Sequence, residues 1–212
     1  MRATVTGAPH WSPDGGRIIF DSNVEAQFEV YVVNAGGGRP KRLTNHPADD
    51  AVASFSRDGR WIYFTSNRTG RFEMWKMPAE GGEPVQLTRN GGWWGFESFD
   101  GKYLYYAPYN YNYESSSLWK LPLGGGDEQK IVEPVLPMSI AVAAKGIYFA
   151  RPWQPGGGNS IEFLSFSTGK ITTIATTPRR IFFLSVSPDE RYLLYTQQDQ
   201  FGSDLMLVEN FR

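Results

Sequence analysis

The chain has 212 residues, with 21 basic and 22 acidic side chains. The resulting net charge of −1 argues against nucleic acid as a partner. With no cysteine and only two histidines, His10 and His46, it excludes a disulfide scaffold, thiolate-held metal centres, a thiol nucleophile and a three-histidine metal site. The 23 Gly, 14 Phe, 11 Tyr and 7 Trp predict many short strands joined by tight turns. Met1 to Thr6 is polar with no apolar stretch behind it. No apolar run reaches the roughly 18 residues of a membrane helix, so neither a signal peptide nor membrane insertion is expected in this sequence.

From Gly7 onward the chain repeats. The first unit, about 7–50, has a strand ending in the turn Ser12-Pro13-Asp14-Gly15, a second strand from Ile18, a third carrying Tyr31, and a strand end at Leu43-Thr44. The second, 51–92, repeats this as Ser56-Arg57-Asp58-Gly59, Ile62, Trp75 and Leu87-Thr88. The third, 93–137, has Ser98-Phe99-Asp100-Gly101, Leu104, Trp119 and Ile131-Val132. The fourth, 138–179, has a worn turn, Ala143-Ala144-Lys145-Gly146, then Ile147, Phe163 and Ile174-Ala175. The fifth, 180–212, has Ser187-Pro188-Asp189-Glu190, Leu193 and Met206.

The large side chains Tyr31, Trp75, Trp119, Phe163 and Met206 are spaced 44, 44, 44 and 43 residues apart. A period of about 40–45 with four short strands per unit is the mark of a propeller blade. In the turns, proline presets φ and glycine accepts the positive φ that closes the loop. Strands alternate, as in Trp61-Ile62-Tyr63-Phe64, and no helical period of useful length occurs. The expected fold is an all-β, five-bladed β-propeller of four-stranded antiparallel blades, one domain over 1–212, with Trp11, Trp75 and Trp119 in its core.

The fifth unit supplies three strands, Ile181–Ser187, Arg191–Gln197 and Leu205–Glu209. Two closures follow. Arg2–Thr6 adds the fourth strand and closes a monomeric ring, which is the favoured outcome. Otherwise the blade stays incomplete, and the apolar edge Leu205-Met206-Leu207-Val208 pairs with another copy.

The stretches PHWSPDGGRIIFDSN…VYVVNAGGGRPKRLT and ASFSRDGRWIYFTSNRTGRFEMWKMPAEGGEPVQLT closely resemble the WD-repeat-like blades of TolB-type β-propellers. Similar repeats occur in the propellers of tricorn-like proteases and prolyl-oligopeptidase-family peptidases. This resemblance implies protein or peptide partners. The ending SDLMLVENFR is similar to the C-terminus of large bacterial sensor-like proteins that carry such propellers behind other domains, which implies a longer parent protein.

Loops from strand four to the next strand one, and from strand two to strand three, share one face of a propeller. Irregular residues on that regular scaffold are the binding candidates: Trp93, Trp94, Tyr109, Tyr111, Tyr113, Arg151, Trp153 and Arg180. Three acids, Asp21, Asp50 and Glu97, are candidates for a carboxylate pair at the funnel. Glycosidases need two such groups about 5–9 Å apart. His10 and His46 are the weaker catalytic candidates, and no G-x-S-x-G elbow or phosphate-binding glycine motif is present. Isolated turn aspartates (Asp14, Asp58, Asp100) lack the six to eight oxygens calcium requires, so no metal and no cofactor are expected. The reading is a non-catalytic binding propeller for a protein, peptide or small ligand, carbohydrate included. The alternative is a glycosidase-like hydrolase.

Overall fold

A computed structural model describes residues 5–108, 115–154, 157–199 and 202–209. It is an all-β propeller. β1 (Thr6–Trp11), β2 (Arg17–Ser22), β3 (Glu29–Asn34) and β4 (Lys41–Arg42) form blade 1. β5 (Asp50–Phe55), β6 (Trp61–Ser66), β7 (Glu73–Pro78) and β8 (Val85–Gln86) form blade 2. Blade 3 holds β9 (Trp94–Glu97), β10 (Tyr103–Ala107), β11 (Ser116–Pro122) and β12 (Gln129–Val135). Blade 4 holds β13 (Ile140–Val142), β14 (Gly146–Ala150), β15 (Asn159–Ser165) and β16 (Ile171–Thr177). The last sheet has three strands, β17 (Ile181–Val186), β18 (Tyr192–Asp199) and β19 (Gly202–Glu209). Every neighbouring pair is antiparallel, and each sheet follows chain order from its inner to its outer strand.

The recurring turn is a small hydrogen-bonded machine. Ser12 Oγ donates to Asp14 Oδ1 at 2.5 Å and accepts the Arg17 N–H at 2.9 Å. Ser56 with Asp58, Ser98 with Asp100 and Ser187 with Asp189 repeat this arrangement. Gly15, Gly59 and Gly101 close their turns at φ near +70°, the conformation that favours glycine. The threonine of the Leu-Thr marker has an equally specific task. Thr44 Oγ1 accepts the Val30 N–H and Thr88 Oγ1 the Met74 N–H, each at 2.9 Å. A side chain thus replaces the backbone ladder, and β4 and β8 are only two residues long.

Apolar side chains pack between consecutive sheets, giving four cores. One joins Ile19, Val30 and Val32 of blade 1 to Phe55, Ile62, Phe64 and Trp75 of blade 2. The others lie between blades 2 and 3, 3 and 4, and 4 and the last sheet.

Two expectations are corrected. Thr6 pairs with Ser22, and Asn23 N–H donates to the Val5 carbonyl at 3.1 Å. Val5 and Thr6 therefore extend blade 1, because β2 continues far enough to offer them a partner in register. They do not complete the last sheet, whose β19 pairs with β18 alone among the described residues. The remainder of the proposed closing strand, Arg2–Thr4, lies outside the described residues. The second correction concerns Trp11. It occupies the repeat position of the buried Phe55, yet it is 62% exposed.

Candidate functional site

A cavity of about 630 Å³ lies where inner strands meet, between blade 1 and the last sheet. Its walls come from β1, β9, β13 and β17, with part of β18. Local sequence explains how the aromatic side chains reach it. A Cβ on Gly92 would come within 2.6 Å of the Met74 side chain and 2.9 Å of its backbone nitrogen, so glycine lets this segment lie against blade 2, and Gly95 leaves room for the tip of Met74. Between these glycines sit Trp93 and Trp94. Trp93 packs edge-on against Phe72 at 4.6 Å, while Trp94 lines the cavity. Backbone bulges contribute too. Ala8 and Val52 adopt φ of 45° and 51°, a costly conformation for a β-branched valine. The bulge at Val52 is held by Asp21, whose Oδ2 accepts the Val52 N–H at 2.8 Å.

Inside the cavity His10 meets Phe96 and Trp94 edge-on, at 5.5 and 6.1 Å. Burial among these rings lowers its pKa to about 4, so the imidazole is neutral at physiological pH. Phe183 faces Trp94 at 6.2 Å. Arg57 is the one charged wall residue among those described. Its Nη2 donates to the Val142 carbonyl at 3.2 Å and its guanidinium sits 5.1 Å over Phe99.

Of the three candidate acids, Asp50 and Glu97 do not converge. Asp50, fully buried at the start of β5, accepts from Arg68 Nη2 through both oxygens, at 2.9 and 2.8 Å. That guanidinium lies 4.7 Å over Trp75. Glu97, at the end of β9, accepts from the Tyr63 hydroxyl at 2.9 Å and from the Arg57 N–H. Arg57 belongs to the turn after β5, so the strand's length separates Glu97 from Asp50, roughly 15 Å at about 3.3 Å per residue. That exceeds the spacing of a glycosidase pair. Asp21 serves the Val52 bulge, and burial raises its pKa. Burial, and then Glu97, push the Tyr63 hydroxyl far above its ordinary value.

Two further buried acids were not singled out from sequence. Glu29 and Glu73 are sealed inside blades 1 and 2. Each accepts from the threonine 15 residues on, Thr44 at 2.5 Å and Thr88 at 2.6 Å. The signal was present as a glutamate at the same place in two repeats. His46 is part of this loop structure: its Nδ1 accepts the Ala48 N–H at 3.0 Å and its own N–H donates to Glu29.

On the loop face, Arg151 is engaged by Glu162 at 2.9 Å and by the Pro134 carbonyl at 2.9 Å. Trp153 is exposed, with the Arg180 guanidinium 5.7 Å over its ring. Tyr109, Tyr111 and Tyr113 lie outside the described residues. The structure thus gathers His10 and Trp94 in the cavity and pairs Trp153 with Arg180 outside it. The turn aspartates of the opposite face are held by their own serines, which lowers their pKa, that of Asp58 to about 2. No group of three His, Asp or Glu side chains that could hold a metal ion occurs among the described residues.

An aromatic cavity between antiparallel sheets defines a β-propeller whose special residues sit in that cavity and on one loop face. The family of the TolB beta propeller domain matches residues 2–149, and the chain belongs to it. No curated protein sequence matches significantly. Among solved structures, TolB from Acinetobacter baumannii superposes with a TM-score of 0.81 at 20% identity, covering 97% of this chain and 52% of that one. The chain therefore spans about half the length of that protein. A putative TolB from Agrobacterium tumefaciens gives 0.79 at 18% identity, over 98% of this chain and 78% of that one. The acylaminoacyl peptidase of Pyrococcus horikoshii gives 0.64 at 15% identity, over 96% and 37%. At these identities the likeness is one of fold.

Proposed function

We propose that this chain is a non-catalytic binding module, a single five-bladed propeller that receives a peptide or a protein segment in its aromatic cavity. The last, three-stranded sheet serves as the fifth blade. The observation that carries this reading is the cavity itself. Its volume of about 630 Å³ lies within the 300–1,000 Å³ usual for ligand pockets, and its walls are mostly apolar and aromatic. The pair Trp153–Arg180, outside the cavity lining, adds a large amphipathic contact on the loop face. Membership of the TolB beta propeller family is consistent with the same reading.

Short random peptides selected on the purified chain provide the test. Selected peptides are synthesised and titrated against the wild type and Trp94→Ala by calorimetry. Binding weakened about tenfold or more, worth roughly 1.4 kcal/mol, is the expected result for the variant. Equal binding by the two proteins would remove the cavity from the mechanism. Turnover of an aryl glycoside panel by the purified chain, lost in Asp50→Asn, would overturn the non-catalytic assignment in favour of a hydrolase.

A further inference from the structure

The charge inside the cavity is unbalanced in a way that specifies its occupant. Arg57 offers five N–H donors, and one side-chain hydrogen bond occupies them, to the neutral Val142 carbonyl. It forms no ion pair among the described residues. Glu97, whose charge reaches this guanidinium, is hydrogen-bonded to the Tyr63 hydroxyl and to the Arg57 backbone N–H rather than to the side chain. No aspartate or glutamate lines the cavity, so an entering anion meets no like charge on its walls. Arg57 stands in an exposed turn at the edge of this ring-walled space, where the open donors of a guanidinium can take a planar anion in a bidentate grip. Above it the walls are His10, Trp94, Phe96 and Phe183, with adjacent ring centroids 5.5–6.2 Å apart. Trp94 adds a buried Nε1–H with no acceptor among the described residues.

Resting on the cavity-binding reading above, we propose that the ligand is a carboxylate carried on an apolar, ring-bearing body. Specifically, it is the carboxyl terminus of a peptide ending in an aromatic residue, with Arg57 as its counter-ion. The carboxylate takes the free edge of the guanidinium, the terminal ring packs among the aromatic walls, and the remaining chain leaves toward the loop face. An acidic side chain further up a peptide has the same chemistry at a different place, which the test separates.

Three probes are titrated by calorimetry: acetyl-leucyl-phenylalanine with a free carboxyl terminus, the same dipeptide as its amide, and acetyl-glutamyl-phenylalanine amide. The free acid should bind about tenfold or more tighter than either amide. Arg57→Gln, checked for folding by its thermal melt, should erase that preference, and Arg57→Lys should restore part of it. Trp94→Ala should weaken all three probes. Equal binding of acid and amide to the wild type, with Trp94→Ala still weakening both, overturns the carboxylate assignment and leaves the cavity reading standing. Tight binding of the glutamyl amide overturns the terminal carboxylate in favour of a side chain. If no probe binds, or Trp94→Ala changes nothing, the cavity reading falls and this assignment with it.

Discussion

Blades 1 and 2 carry matching apolar sets 44 residues apart. Trp11, Ile18, Phe20, Tyr31 and Val33 stand in one where Phe55, Ile62, Phe64, Trp75 and Met77 stand in the other. In blade 2 the set is sealed against Ile19, Val30 and Val32 of the preceding blade. In blade 1 Tyr31 is as buried as Trp75, but Ile18, Phe20 and Val33 are only half-buried and Trp11 is 62% exposed against 8% for Phe55. The hydrophobic period therefore encodes which face of a sheet is apolar. Whether that face is buried depends on the sheet beside it, which the period does not contain.

The largest test of this comparison is a pair of truncations. Phe64→Ala empties a fully enclosed site and should cost about 3–5 kcal/mol in urea unfolding. Phe20→Ala, its partner in blade 1, removes a half-covered ring whose stacking contact is Tyr31 at 5.7 Å, and should cost about 1 kcal/mol. A comparable, concentration-dependent loss in both variants would break the contrast, because it would mean that another molecule covers blade 1 in solution.

A smaller effect separates the outer ends of β5 and β1. Asp50 is buried with Arg68, while the same place in blade 1 holds Thr6, whose hydroxyl lies 3.0 Å from that of Ser22. Asp50→Ala leaves a largely buried guanidinium without its partner and should cost about 3 kcal/mol. Thr6→Ala gives up one exposed hydroxyl contact and should cost under about 0.5 kcal/mol. Thermal denaturation of both variants distinguishes them, and equal losses would show that the ion pair is not the source of the difference.

The smallest effect is one of pH. Position 10 is a histidine where blade 2 has Ser54, which donates to the Gly95 carbonyl at 3.1 Å. Burial holds the His10 pKa at about 4, below its value of 6.5 when unfolded. Between these values the unfolded chain takes up the proton first, so stability falls as pH drops from about 6.5 toward 4 and is level above that window. His10→Ser, which gives blade 1 the residue of blade 2, should flatten the melting temperature across the window relative to wild type. An unchanged slope would show that carboxylates elsewhere carry all of it.

Repeat length, turn chemistry and strand alternation made the fold legible, because each is written within one blade. The Ser-Asp turns appear where Ser12, Ser56, Ser98 and Ser187 predict them. The site was legible only in part. Trp94 and His10, picked out for different reasons, are neighbours in the cavity, which neither pattern foretold. Asp50 and Glu97 do not meet, since their places at opposite ends of parallel-running inner strands depend on where each strand starts. Glu29 and Glu73 escaped notice because a glutamate in a strand ordinarily reads as a solvent-facing residue, and the threonines that satisfy them lie in another strand. Arg57 escaped for the same reason: it stands in an exposed turn, and only the third dimension brings it to Val142.

The worn turn of blade 4 has its own consequence for how the last two sheets are joined. In the other sheets a serine and an aspartate of one short loop clasp each other. Ala143-Ala144-Lys145-Gly146 has no such clasp, and its Ala144 N–H instead donates to Glu190 at 2.8 Å, 46 residues downstream. The turn that lost its own fastening is thus tied to the matching turn of the next sheet.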